Sequence, residues 1–435
     1  MLVYAAFSSP RLRYALDMVL GRILAHPYRL THDRVSFCAA SGELRWSYGE
    51  QLECTATEQP LPYLPQVTEL LSRSDLAPLE IPFDEEQRRP FSTSTRGGLL
   101  SYDALSLAFY HLTRYEEYLP GERDAHGRYT AAQSRSSAWG TLELPLVDVA
   151  AHALYATLRE HYPRLALRQP LAAQQMTYDI DIPFAYGHRP LWRTVGAIGK
   201  EILRLKHARL GQRLRVALGV ERDPYDTLDT LLRHHRYDGI PPAFFFLLND
   251  YRRPYDTGLE ARHVALWVRR VADNGARVGL HPSYASAYDA RQLEREVERL
   301  QAITGQAVQH SRQHYLRFRL PDTYRHLLSV GILHDYSMCY ADAVGWRAGT
   351  SYAYPWYDLT LDAPTELTLH PTQAMEVTLR QYMSLPSEQA RERVAALWQL
   401  TRQYGGVFRA LGHNNNLPWV RDLWVGMAQL LGRLP

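Results

Sequence analysis

The sequence predicts an α/β protein: a seven-stranded β/α barrel over residues 173–435, preceded by a smaller α+β domain over residues 1–165. Three observations carry this reading. From Ala173 onwards, apolar runs of strand length alternate with amphipathic helical stretches, the rhythm of parallel βαβ units. Polar residues collect at or just beyond the C-terminal ends of those runs, the face on which β/α barrels gather catalytic groups. No glycine-rich phosphate loop follows the first run, which weighs against a nucleotide-binding doubly wound sheet.

In chain order, Leu2–Phe7 reads as a short strand and Arg11–Leu24 as an amphipathic helix. Val35–Cys38 and Leu44–Tyr48 are further short strand candidates between polar turns. Residues 55–100 are rich in Pro, Ser, Thr and Arg with weak periodicity, so irregular structure is expected there. Tyr102–Tyr118 reads as a helix whose buried stripe is Leu105, Phe109 and Leu112. At its end, Arg114, Glu116 and Glu117 read as a structural ion-pair group rather than a catalytic cluster. Asp124–Tyr129 makes a turn, Asp148–His161 a second helix, and Pro163–Pro170 a linker. Beyond it the strand candidates are Gln174–Asp179, Ala243–Leu248, Arg277–His281, Val308–Arg312, Ile332–Tyr336, Leu367–His370 and Val407–His413. Helical stretches between them include Arg291–Ile303 and Ala390–Leu400, each with its apolar residues on one face.

Composition narrows the function classes. The chain has 435 residues, 46% hydrophobic and 22% charged, enough for two domains and a large core. A net charge of +3 with no single basic stripe argues against nucleic acid as a partner. No stretch reaches the ~18 apolar residues of a membrane span, and Arg11, Arg13 and Asp17 interrupt any signal-peptide pattern at the N-terminus. Cys38, Cys54 and Cys339 show no CxxC spacing and support neither a disulfide framework nor a cysteine metal site. A reducing compartment, and so a cytoplasmic protein, is the resulting expectation. The 29 tyrosines and 9 tryptophans suit sugar-facing clefts as well as cores.

The chemistry centres on Thr177-Tyr178-Asp179-Ile180-Asp181. Carboxylates at i and i+2 on a strand share a side, roughly 6–7 Å apart by strand rise, which suits a base beside a metal ligand. Polar groups at other strand ends are His281, Arg312 with His314, Asp335 with Tyr336, His370 and His413.

Residues 173–430 resemble the polysaccharide deacetylase superfamily, that is, carbohydrate esterase family 4 and its relatives. The resemblance rests on the Asp179–Asp181 pair, Gly279-Leu280-His281-Pro282-Ser283, Ser311-Arg312-Gln313-His314-Tyr315 and Leu411-Gly412-His413-Asn414. Asp335-Tyr336-Ser337-Met338 and Gly345-Trp346-Arg347-Ala348-Gly349-Thr350 look typical of a divergent bacterial branch. In the first half, the strings from Leu112 to Leu119, Asp124 to Tyr129 and Leu142 to Asp148 resemble a domain of unestablished role found before such deacetylase-like domains.

The resemblance implies a deformed β/α barrel that removes acyl, chiefly N-acetyl, groups from a carbohydrate or glycan precursor with one divalent metal. Asp179 would be the base, Arg312 the group orienting it, and His413 the acid on the leaving group. Asp181 and His281 would hold the metal. The family's second histidine, four residues after the first, is absent because Ala285 stands there. His314 is the first choice for the missing ligand, with His370 its rival. Tyr336, Arg347, Ser283 and Tyr315 would face the substrate. His188, His310 and His334 read as surface or structural. Zinc is the leading expectation, and nickel, cobalt or manganese suit the same ligand types. A silent sugar-binding module or an amidase on a non-sugar substrate are the alternatives. A glycosidase fits poorly, because two acids on one strand cannot flank a glycosidic bond.

Overall fold

The computed structural model describes residues 1–40, 44–54, 60–166, 169–188, 191–203, 207–234, 240–248, 255–256 and 261–428. Four strands near the N-terminus, β1 (Leu2–Ala5), β2 (Arg29–Thr31), β3 (Arg45–Gly49) and β4 (Tyr63–Pro65), pair in the order β2-β1-β3-β4. All three pairings are parallel. A two-stranded antiparallel pair, β5 (Phe83–Asp84) and β6 (Arg89–Pro90), breaks the region expected to be irregular.

Val35–Cys38, expected to be a strand, belongs to the helix Arg34–Ala39. The Asp33 carboxylate accepts from the Val35 and Ser36 amides, and this cap outweighs the β preference of one valine that stays exposed. The helix read over Tyr102–Tyr118 covers Ala104–Thr113 and ends at Arg114, whose φ of 54° lies in the left-handed region. It is buried on every face rather than along one stripe.

Cys38 and Cys54 are joined as a disulfide, which corrects the expectation of unpaired thiols and removes its support for a reducing compartment. Closing a loop of this size stabilises a fold by about 3 kcal/mol through the unfolded chain. Cys38→Ser should therefore lower unfolding free energy by about that amount. Alkylation of the unreduced, denatured protein should label Cys339 alone; labelling of all three cysteines would refute the pairing.

The large sheet is built from β7 (Ala172–Ile180), β8 (Ala243–Phe246), β9 (Arg277–Leu280), β10 (His310–Ser311), β11 (His334–Asp335), β12 (Tyr354–Asp358), β13 (Ala363–Leu369), β14 (Ala374–Met375) and β15 (Gly406–His413). Its order is β12-β13-β11-β10-β9-β8-β7-β15-β14, nine strands rather than the seven expected. No pairing joins β12 to β14 among the described residues, so hydrogen bonds do not close the sheet into the expected barrel. Every neighbour is parallel except β12 and β13. Each of the seven strand candidates falls on one of these strands, while β12 and β14 went unread. No helix among the described residues is long and apolar enough to cross a membrane.

One apolar core runs from Leu12 and Phe109 in the first half to Trp356 and Phe408 in the second. Polar groups lock the two halves along this seam. Arg347 donates to both Glu117 carboxylate oxygens, at 2.9 and 2.6 Å, and Arg114 Nε donates to the same carboxylate at 2.7 Å. Thr350 Oγ1 and the Ser351 amide donate to the buried Asp148 carboxylate at 2.5 and 2.8 Å. Arg347 is thus held in the seam and does not line the cleft described below, against its expected substrate-facing role.

Candidate functional site

Register brings the candidate residues together. His413 pairs with Asp179 across β15 and β7, and Ser311 pairs with Leu280 across β10 and β9. His281 and Arg312, the residues just beyond that second pair, therefore emerge side by side at the C-terminal edge of the sheet. Asp181 follows directly after the end of β7.

Each histidine is fixed through Nδ1. His281 Nδ1 donates to the Arg312 carbonyl at 2.6 Å, and His314 Nδ1 to Asp256 Oδ1 at 3.0 Å. That fixes the orientation of each ring and leaves Nε2 as the atom turned into the site. Both Nε2 atoms face Asp181: His281 Nε2 lies 3.2 Å from Oδ1 and His314 Nε2 lies 3.7 Å from Oδ2. Asp181 Oδ1 and His281 Nε2 are nevertheless buried with no hydrogen bond of acceptable geometry. Two orphaned ligand atoms beside a third, all within 4.8 Å of one another, fit a divalent cation. One carboxylate and two imidazoles suit zinc and its first-row neighbours.

Electrostatics agree with that fit. Burial alone would raise the Asp181 carboxyl, but His314 and His281 hold it well below the usual carboxylate range. Burial would lower His314, yet Asp181 and Asp256 lift it to about 9. A site that holds a proton this firmly on His314 offers the same negative field to a metal, which must displace that proton to bind.

Asp179 and His413 flank the triad. Asp179 is 2% exposed and Oδ1 accepts from Arg312 Nη1 at 3.1 Å. Arg312, fully buried, also donates to Thr177 Oγ1 at 2.8 Å and the Tyr336 carbonyl at 3.0 Å, so its fork is held from three sides. His413 Nδ1 donates to Glu376 Oε1 at 2.7 Å, and its Nε2 lies 3.9 Å from Asp181. Burial opposes the charged ring, but Glu376, Asp181 and Asp179 raise His413 to about 10.

A half-open cleft of about 430 Å³ is lined by Asp179, Asp181, His314 and His413, within the usual range for small-ligand sites. Tyr255, Tyr315, Tyr382 and Leu411 line it, together with Arg128 from the first half of the chain. Arg128 donates to the Tyr315 carbonyl at 3.1 Å, the Tyr382 hydroxyl at 3.2 Å and Asp124 at 2.7 Å, so the Asp124–Tyr129 turn forms part of the wall. Tyr315 and Leu316 have φ of 62° and 51°, left-handed values that ordinary side chains avoid and that cluster at functional sites.

Other expected site residues lie elsewhere. Tyr336 is fully buried, stacked on His370 with ring centroids 4.3 Å apart, and its hydroxyl accepts from Arg277 at 3.0 Å. Ser283 is 1% exposed and its amide donates to the buried Glu296 carboxylate at 2.9 Å. Neither faces the cleft, which corrects both expectations. His370 contacts His334 at 3.2 Å rather than the triad and is no rival ligand.

Asp256 and Glu376 went unnoticed in the sequence. Glu376 directly follows β14, so the strand-end rule would have flagged it had a two-residue strand been legible. Asp256 sits in no regular element and left no such signal.

Comparison with known proteins supplies context. Residues 1–163 match DUF7033, a family of unknown function. No curated protein matches the chain. A Mycobacterium smegmatis protein described as a polysaccharide deacetylase is similar over 62% of this chain and 90% of its own, at 18% identity and a TM-score of 0.39. A carbohydrate esterase family 4 pseudoenzyme from Bacillus anthracis overlaps 61% of each chain at 10% identity and a TM-score of 0.32. A family 4 carbohydrate esterase from Streptomyces lividans, solved with acetate, overlaps 61% of this chain and 91% of its own at 12% identity and a TM-score of 0.30. Overlaps this loose carry no assignment, which rests on the side chains.

Proposed function

We propose that this chain is a metal-dependent hydrolase that removes an acyl group, chiefly N-acetyl, from a carbohydrate or glycan precursor. The observation that carries the proposal is the set of complete support pairs. His281 is held by the Arg312 carbonyl, His314 by Asp256, Asp179 by Arg312 and His413 by Glu376. A scaffold kept only for binding has no need to fix four titratable groups around one point.

A divalent ion held by Asp181, His281 and His314 would supply Lewis-acid polarisation and a more acidic water. Asp179, oriented by Arg312, takes the proton of the attacking water. His413, kept charged by Glu376, gives a proton to the departing amine or alkoxide. Tyr315, Tyr255 and Tyr382 offer ring faces and hydroxyls to a sugar in the cleft. The first 165 residues act as a domain that completes the cleft wall through Arg128.

The test is acetate release from N-acetylated oligosaccharides by metal-loaded protein. Asp179→Asn should lower kcat by roughly 10²–10⁴-fold, the scale of general-base catalysis, with metal content unchanged. Metal-loaded protein that binds the oligosaccharides but releases no acetate would favour the silent binding module.

A further inference from the structure

The same sheet carries a second polar cluster nearer the N-terminal ends of its strands, away from the metal triad. Arg277, His310, His334 and Arg409 stand two or four residues before His281, Arg312, Tyr336 and His413 on β9, β10, β11 and β15. Strand alternation therefore turns them to the same face. They gather round Tyr336. Arg277 Nη1 donates to its hydroxyl at 3.0 Å, His370 stacks on its ring, and the Arg409 guanidinium and the His310 ring lie 6.0 and 6.1 Å from its centroid. The His310 and His334 rings stack at 4.6 Å.

Arg409 Nε donates to Gln175 Oε1 at 2.9 Å, but the cluster has positive charge without a matching negative one. Arg409 is 4% exposed, and its Nη1 is buried with no hydrogen-bond partner. His310 Nδ1 and His370 Nδ1 are buried and unpartnered as well. The Tyr336 hydroxyl accepts from Arg277 and so retains its own proton to donate. No carboxylate among the described residues pairs with Arg277 or Arg409. Asp335 points to the opposite face, where it accepts from Ser311 and Ser337. Glu366 is exposed and forms no ion pair there. Two buried or half-buried guanidiniums beside three histidines, with no counter-charge, are costly unless a ligand supplies it.

We propose that this cluster is a binding site for a small tetrahedral oxyanion of the phosphate class, recognised by Arg277, Arg409, the Tyr336 hydroxyl and the ring of histidines. Arginine forks and hydroxyl donors match such an anion in geometry and charge. A metal ion does not fit, since the three histidines do not converge as Asp181, His281 and His314 do. Burial and the neighbouring positive groups hold His310 down at about 3 and pull Arg409 down to about 10, the field that an anion would relieve. The site does not depend on the hydrolase reading.

Calorimetric titration of the full chain with inorganic phosphate, at constant ionic strength, tests this. The expected result is saturable binding of one phosphate per chain, weakened at least about tenfold by Arg277→Gln and by Arg409→Gln, and unchanged by Asp181→Asn. Arg277 is half-buried, so its variant keeps the test valid if Arg409→Gln fails to fold. Absence of saturable binding, or binding that survives Arg277→Gln but is lost in Asp181→Asn, overturns the proposal.

Discussion

Asp181→Ala and His281→Ala are each expected to lose the bound divalent metal and, with it, roughly 10³-fold or more of the acyl-hydrolysis rate, the scale of several kcal/mol of charge stabilisation. Asp181 lines the cleft and neither side chain belongs to the apolar core, so far-ultraviolet circular dichroism should stay that of the parent. Elemental analysis of the purified variants reads metal content directly. His314→Ala should behave in the same way, because its Nε2 faces Asp181 Oδ2. His370→Ala should retain the metal, because its ring packs on Tyr336 and His334 instead. Unchanged metal stoichiometry in Asp181→Ala and His281→Ala would end the hydrolase proposal, whatever the activity. The three positions form one unit, so a double variant should lose little beyond either single one.

The second large effect concerns stability. Glu117→Ala leaves the Arg347 guanidinium without its carboxylate and Arg114 with Glu116 alone, at a seam where Arg114, Glu117 and Arg347 are 1%, 5% and 3% exposed. Removing one member of a buried ion-pair group costs on the order of 3–5 kcal/mol, far more than a surface pair. The pH dependence has a definite sign. Burial pushes the Glu117 carboxyl up, but Arg347 and Arg114 outweigh it and hold the group at about 2. A carboxyl depressed in the folded state contributes fully above its ordinary value, near 4.5, and loses that contribution as pH falls toward 2. The stability gap between parent and Glu117→Ala in urea should therefore be constant from neutral pH to about 5 and narrow below it. A gap under about 1 kcal/mol at neutral pH would mean that the seam does not depend on this pair.

Much of the site was legible because strand alternation is a local property. A polar residue that ends an apolar run points off the edge of a sheet whatever lies beside it. Asp179, Asp181, His281, Arg312 and His413 could therefore be read as one edge before any pairing was known. The same rule failed for Tyr336, which directly follows β11 but turns inward. Its ring is claimed by His370 and its hydroxyl by Arg277, partners that lie on other strands. Arg347 was misread for a related reason: its carboxylate partner, Glu117, lies 230 residues earlier.

What the sequence alone determined is the set of seven strand positions and the polar residues that end them. Only the tertiary structure decided which polar residues converge. His314 reaches Asp181 from a turn whose next two residues take left-handed backbone values, and Asp256 fixes its ring. Pairing across the sheet also decided that nine strands align and that β12 and β14 remain at its edges. These outcomes depend on contacts between residues far apart in the chain, where local periodicity carries no information.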